Sequence, residues 1–344
     1  MSLFNAPKFR KPSFKLALIA TLLALFVVML GTYTRLMDVD FGCSDWPICH
    51  GQLSILSDSF EASDGYSTGY AFLQPELIHR NLAGVLGLLI ITLAVRSWRR
   101  RDDETYPFRL PTFILFLVVW QALFGMWTDK LALWPQVVTV HLVMGAITCS
   151  LLWLLTLRLD NKRWKIPEDM LAKLTRLKPW IVLGVVLIFI QIVLGGWTSA
   201  NNAASACPDF PRCQSQWWPE MDMKKGFNII ESFGVETLSQ TLESKARVAI
   251  HVVHRLGALV AAIYIVGLAV ALLFIKHSRT RRMSVLLLAM LSLHLYLVIS
   301  LSDIEQPVLM AMLHNFSGTL LLLTLVTLAT KVWTAKKKYQ RTIS

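Results

Sequence analysis

The sequence predicts an all-α polytopic membrane protein, with eight transmembrane helices arranged as two pseudo-repeated four-helix bundles. Three observations carry that expectation. Hydrophobic residues make up 55% of the 344 residues and charged residues only 16%, too apolar for a soluble domain. Eight apolar runs reach the length of about 20 residues that crosses a hydrocarbon core of about 30 Å. The second half of the chain also repeats, in order, the motifs of the first.

The first run, about 16–34, follows Lys8, Arg10, Lys11 and Lys15. It is too long for a cleavable signal peptide, and no small-residue cleavage site leads into a soluble domain, so it is expected to remain as a span. No Arg/Ser-rich presequence precedes it, which favours a bacterial inner membrane over an organelle. An acidic outer segment, about 35–74, carries Asp38, Asp40, Asp45, Asp58, Glu61 and Asp64. The run 77–95 returns to Arg96, Arg99, Arg100 and Arg101. Runs 110–128 and 136–157 form the next hairpin and end at Arg158, Lys162, Arg163 and Lys165. Run 179–200 leads into a second long outer segment, about 201–246. Run 248–275 comes back to Lys276, Arg279, Arg281 and Arg282, and runs 283–301 and 307–330 finish at Lys331, Lys336, Lys337 and Lys338. Basic residues thus cluster at alternate connections. By the positive-inside rule both termini are cytoplasmic and the two long segments face outward. The net charge of +12 is an orientation signal. The expected partner is the lipid bilayer, not nucleic acid.

The outer segments repeat. "GTYTRLMDVDFGCSDWPICHGQ" (31–52) aligns without a gap with "GGWTSANNAASACPDFPRCQSQ" (195–216), matching Gly31 to Gly195, Thr34 to Thr198 and both cysteines. "HRNLAG" begins at His79 and "HRLGAL" at His254; His141 likewise has a counterpart in His314. The expected units are 1–165 and 166–344, parallel repeats about an axis along the membrane normal. Each is a bundle whose core can hold a cofactor between facing helices. Cys43, Cys49, Cys207 and Cys213 lie outside, where disulfides persist; structural staples and a redox role are both open for each pair. Cys149, inside a span, reads as a small buried apolar residue.

Six of the eight histidines fall in spans: His79, His141, His251, His254, His294 and His314. Ionisable groups there are costly and mark function. His79, His141 and His314 each precede a basic residue (Arg96, Arg158, Lys331) by 17 positions, about 25 Å of helix. His254 precedes Lys276 by 22, so its span is expected to be longer or more tilted. The four form one pair per half near the outer surface. Zinc would want further ligands. Two histidines on separate helices, with Gly84, Gly145, Gly257 and Gly318 nearby to admit a flat ring, suit axial ligation of haem iron. Arg80 and Arg255 are expected to pair with haem propionates. His294, 12 residues from Arg282, is expected near mid-membrane without a partner, as a packing residue; its register in the third run holds Trp120 or Gln121. "ELIHR" (76–80) aligns with "HVVHR" (251–255), so Glu76 and His251 share a register and, three residues away, a helix face with His79 and His254. Glu76 reads either as a carboxylate complementing a helix start or as an acid or base beside a porphyrin.

These fragments, with "TVHLVMG", "MLHNFSG" and the doubled Cys-x₅-Cys segments, resemble the haem A synthase family, in its Cys-pair-containing bacterial type. The resemblance covers nearly the whole chain. It implies oxidation of the C8 methyl of haem O to a formyl group by successive hydroxylations, supplying haem A for terminal cytochrome oxidase. It implies that His79 and His141 hold the substrate haem, that His254 and His314 hold a resident haem b, and that Glu76 is the catalytic carboxylate. Cys43 with Cys49, and Cys207 with Cys213, match the family's two pairs. Haem O synthase is the implied supplier of substrate, the electron donor is unidentified, and a homo-oligomer is allowed. One departure is that Arg35 follows Thr34 whereas Ser199 follows Thr198. The main rival is a di-haem, cytochrome b-type electron carrier; such carriers set ligands near both faces, and here both pairs sit at the outer level.

Overall fold

The structure is a computed structural model that describes residues 10–36, 48–49, 52–53, 75–130, 134–229, 243–300 and 307–337. In chain order its elements are α1 (Phe14–Leu36), β1 (Ile48–Cys49), β2 (Gln52–Leu53), α2 (Pro75–Trp98), α3 (Arg109–Lys130), α4 (Pro135–Asp160), β3 (Lys165–Ile166), α5 (Glu168–Arg176), α6 (Lys178–Ala200), α7 (Met223–Gly226), α8 (Ser244–Leu273), α9 (Ser278–Ser300), α10 (Pro307–Trp333) and β4 (Lys336–Lys337). Among the described residues, eight helices are long and apolar enough to cross a bilayer: α1 to α4, α6 and α8 to α10. The chain is an all-α multi-pass membrane protein.

The local reasons are ordinary. Pro75, Pro135 and Pro307 open their helices and Pro179 is second in α6, positions whose missing N–H would have no helical acceptor. In an apolar surround every hydroxyl needs an internal partner. Thr21, Thr198 and Thr324 accordingly donate to the carbonyls of Ala17, Leu194 and Leu320 at 2.8–2.9 Å. Large apolar side chains such as Phe116, Leu88 and Ile263 stay exposed on the outer faces, where lipid replaces water. Small residues let helices approach; Ala17, Ala20 and Ala24 of α1 are buried.

α1 packs on α2 and α4, and α3 packs on α2 and α4. α6 packs on α8 and α10, and α9 on α8 and α10. One apolar cluster gathers Ala20, Ile90, Ile114 and Leu152, another Ile181, Ile265, Leu287 and Leu325. Contacts of α1 and α4 with α10, and of α4 with α6, join the two sets. Asn315 donates to Thr32 Oγ1 at 3.1 Å and Trp153 Nε1 to Thr327 Oγ1 at 2.7 Å across that seam. At the basic ends, Lys11 N donates to Leu159 O at 2.8 Å, and β3 pairs in parallel with β4.

Some expectations are corrected. The basic connection between α4 and α6, which carried no predicted element, contains α5, whose Leu174 is buried with Trp164 and Ile166. α9 begins at Ser278, ahead of the apolar run, since Arg279, Arg281 and Arg282 lie inside its first turns. α8 ends at Leu273, so Lys276 lies past the helix, in a left-handed turn at φ 54°.

A histidine layer at the ends opposite the basic clusters

Helix ends set the depth of the four expected ligands. His79, His141, His254 and His314 each stand nineteen residues before the last residue of their helix: Trp98, Asp160, Leu273 and Trp333. That is about 28 Å of helix. The deviation anticipated for His254 disappears, because it was counted from Lys276, which is not helical. The extra length of α8 lies at its other end, where it starts ten residues before His254.

Glycines of the preceding helices admit the rings. A Cβ on Gly31 of α1 would stand 2.9 Å from Cε1 of His79. On Gly125 of α3 it would stand 3.1 Å from Cε1 of His141, and on Gly195 of α6 3.2 Å from Cε1 of His254. The glycines singled out from sequence serve otherwise. Gly84 meets nothing within 4 Å, while Gly145, Gly257 and Gly318 face Gln121, Gln191 and His294. The sequence pattern marked Gly31 and Gly195 as a matched pair without indicating what they face.

His254 and His314 come together with ring centroids 6.5 Å apart and planes at 85°. His79 and His141 are electrostatic neighbours. Nδ1 of His141 is 3.1 Å from the carbonyl of Gln121. A carbonyl only accepts, so the proton sits on Nδ1 and Nε2 presents a lone pair. The amide of Gln191 lies 2.9 Å from Nδ1 of His254. Among the described residues, no hydrogen bond of good geometry reaches the buried Nδ1 of His79 or of His314. His294 is not the lone packing residue expected: its ring stacks on His314, centroids 4.4 Å apart. Depth counted from Arg282 misplaced it, because sixteen residues of helix separate it from the true start at Ser278.

Next to these rings, Glu76 pairs with Arg80 one turn later. The same register on α8 holds His251, whose Nε2 accepts from Nε of Arg255 at 3.1 Å. Both arginines thus have protein partners on their own helices, Glu76 for Arg80 and His251 for Arg255. Arg255 further donates to the carbonyls of Cys207, Asp209 and Arg212 at 2.8–2.9 Å. It holds the turn closed by the Cys207–Cys213 disulfide. Asp209 accepts from the backbone N–H of Gln214 at 2.6 Å and of Ser215 at 2.9 Å. Desolvation opposes its charge, but those N–H donors and Arg255 together hold its carboxyl below the usual range. Arg35 reaches the carbonyl of Ala200 at 3.4 Å and Oδ1 of Asn202 at 3.3 Å, tying α1 to the end of α6. Cys43 lies outside the described residues, and Cys49 is described only as backbone in β1. A surface recess lined by Trp98, Arg99, Asp102 and Thr112 lies at the other ends of α2 and α3, away from the histidines.

Fold and site together define a multi-pass helical membrane protein with paired histidines in one layer. Comparison with known proteins narrows this. Residues 14–326 match the family model described as cytochrome oxidase assembly protein, COX15-CtaA. The protein named "Heme A synthase" from Shewanella oneidensis is 35% identical over 321 residues, covering 92% of this chain and 95% of that one. One of the same name from Shouchella clausii is 26% identical over 289 residues, 83% and 82% of the two chains. The chain belongs to the COX15-CtaA family of cytochrome oxidase assembly proteins.

Proposed function

We propose that the chain is a haem A synthase, oxidising the C8 methyl of haem O to a formyl group by successive hydroxylations and loss of water from the resulting diol. The observation that carries this is the depth match of four histidines, one on each of α2, α4, α8 and α10, in a chain 35% identical over almost its whole length to a protein named "Heme A synthase". The residues fit a haem. A metal about 2 Å from each of two imidazole nitrogens sets the ring centroids roughly 6 Å apart, close to the 6.5 Å between His254 and His314. The acceptor at Nδ1 of His141 also puts the ring lone pair on Nε2, the nitrogen that would ligate.

In this reading units 1–165 and 166–344 each carry one site. His254 and His314 hold a resident haem b, which supplies one-electron transfer when bound. His79 and His141 hold the substrate haem. Glu76, on the face of α2 that carries His79, is the catalytic carboxylate and moves a proton beside the substrate, its charge balanced by Arg80. The protein lies in a bacterial inner membrane with both termini cytoplasmic, receives haem O from a haem O synthase and electrons from a separate donor. Expression with a haem O source, followed by pigment extraction, tests the reaction. Haem A in the extract is the expected result; a haem-bearing protein that leaves haem O unchanged would point to an electron carrier instead.

A further inference from the structure

His294 forms the third ring of a cluster with His254 and His314. Its ring lies nearly parallel to that of His314, planes 25° and centroids 4.4 Å apart. Its Nδ1 is 2.8 Å from Oγ of Ser317, and that hydroxyl donates to the carbonyl of His314 at 2.9 Å. A serine hydroxyl has one hydrogen. Toward His294 it therefore accepts, and His294 carries its proton on Nδ1. Gly318 makes the room, since a Cβ there would stand 3.3 Å from Cε1 of His294. One edge of His294 is thus fastened to the turn of α10 that follows His314, and its face lies on the His314 ring.

His314 needs such support. A ligating histidine is ordinarily aimed by a hydrogen bond at its other ring nitrogen. The backbone carbonyl of Gln121 takes that place for His141, accepting from Nδ1, while the side-chain N–H of Gln191 fixes the ring of His254 by donating to its Nδ1. Among the described residues, nothing hydrogen-bonds the buried Nδ1 of His314 to fix the rotation of its ring. We infer that His294 is the positioning residue of the second histidine pair, holding the plane of His314 by stacking where the rings of His141 and His254 are held by a hydrogen bond. The inference rests on reading His254 and His314 as the ligands of a resident haem.

The test uses the purified full-length protein and reads optical and electron paramagnetic resonance spectra together with carbon monoxide binding. His294→Ala is expected to lose most of the low-spin signal and to gain carbon monoxide binding, because His314 no longer stays on the metal. His294→Phe keeps a flat ring without the Ser317 bond and is expected to keep the low-spin signal. An unchanged spectrum in His294→Ala overturns the inference. If that variant does not accumulate, His294→Phe decides: loss of the low-spin signal there means that stacking is not the support. A parent protein with no low-spin haem, or a His254→Ala variant that keeps it, would instead remove the ligand reading on which the inference stands.

Discussion

Glu76 and Arg80 form an ion pair at the head of α2, and the matching positions of α8 hold a neutral-to-cation contact between His251 and Arg255. Among the described residues, the first half alone thus places a carboxylate one helical turn from a layer histidine. General acid–base groups contribute about 10²–10⁴-fold, so Glu76→Ala is expected to lower haem A output at least about 100-fold. The protein should still accumulate and carry haem, and normal output would take Glu76 out of the reaction. Glycine substitutions separate close approach from empty space. Gly31→Ala drives a Cβ to 2.9 Å from His79, and overpacking of this kind costs about 1–3 kcal/mol. It should lower both haem A yield and melting temperature. Gly84→Ala, with nothing within 4 Å, should be neutral or slightly stabilising, since alanine is the better helix former. His79, His141, His254 and His314 were legible in the sequence because ionisable residues stand out in apolar runs. Gln121, Gln191 and the stacked His294 were not, because their roles depend on which faces of neighbouring helices meet.

At the scale of elements, the turn closed by Cys207–Cys213 packs on Val248 and Val252 of α8 and is hydrogen-bonded to that helix through the guanidinium of Arg255. The ammonium of a lysine cannot reproduce the fork that reaches Cys207, Asp209 and Arg212 as well as His251. Arg255→Lys should therefore speed amide hydrogen exchange at Gln214 and Ser215 while leaving α6 unchanged; equal protection in both proteins would show that the disulfide and apolar packing alone hold the turn. Asp209 adds a pH dependence. Its depressed carboxyl stabilises the turn above the usual carboxylate range, and that contribution is lost as pH falls through the folded value. Exchange corrected for intrinsic rates should rise below about pH 4, and Asp209→Asn should remove the rise. Apolar runs located all eight spans, yet missed the first turns of α9 and the true end of α8. Hydropathy registers hydrocarbon depth, whereas helices continue through the headgroups with long basic side chains reaching to water. α5 escaped notice because its few apolar residues bury against a surface that only the folded helices create.

For the molecule as a whole, contacts of α1 and α4 with α10, and of α4 with α6, bring two sets of four helices side by side, and all four layer histidines end at one depth. Parallel placement keeps both proposed haem sites near the same membrane face, which suits handing electrons from one to the other rather than across the bilayer. The measurement closest to this claim is the reduced-minus-oxidised spectrum of the purified chain and three variants. The account predicts a low-spin haem b signal that persists in His79→Ala and vanishes in His254→Ala and in His314→Ala. A signal that survives loss of both second-half histidines, or that depends on His79 alone, would contradict it.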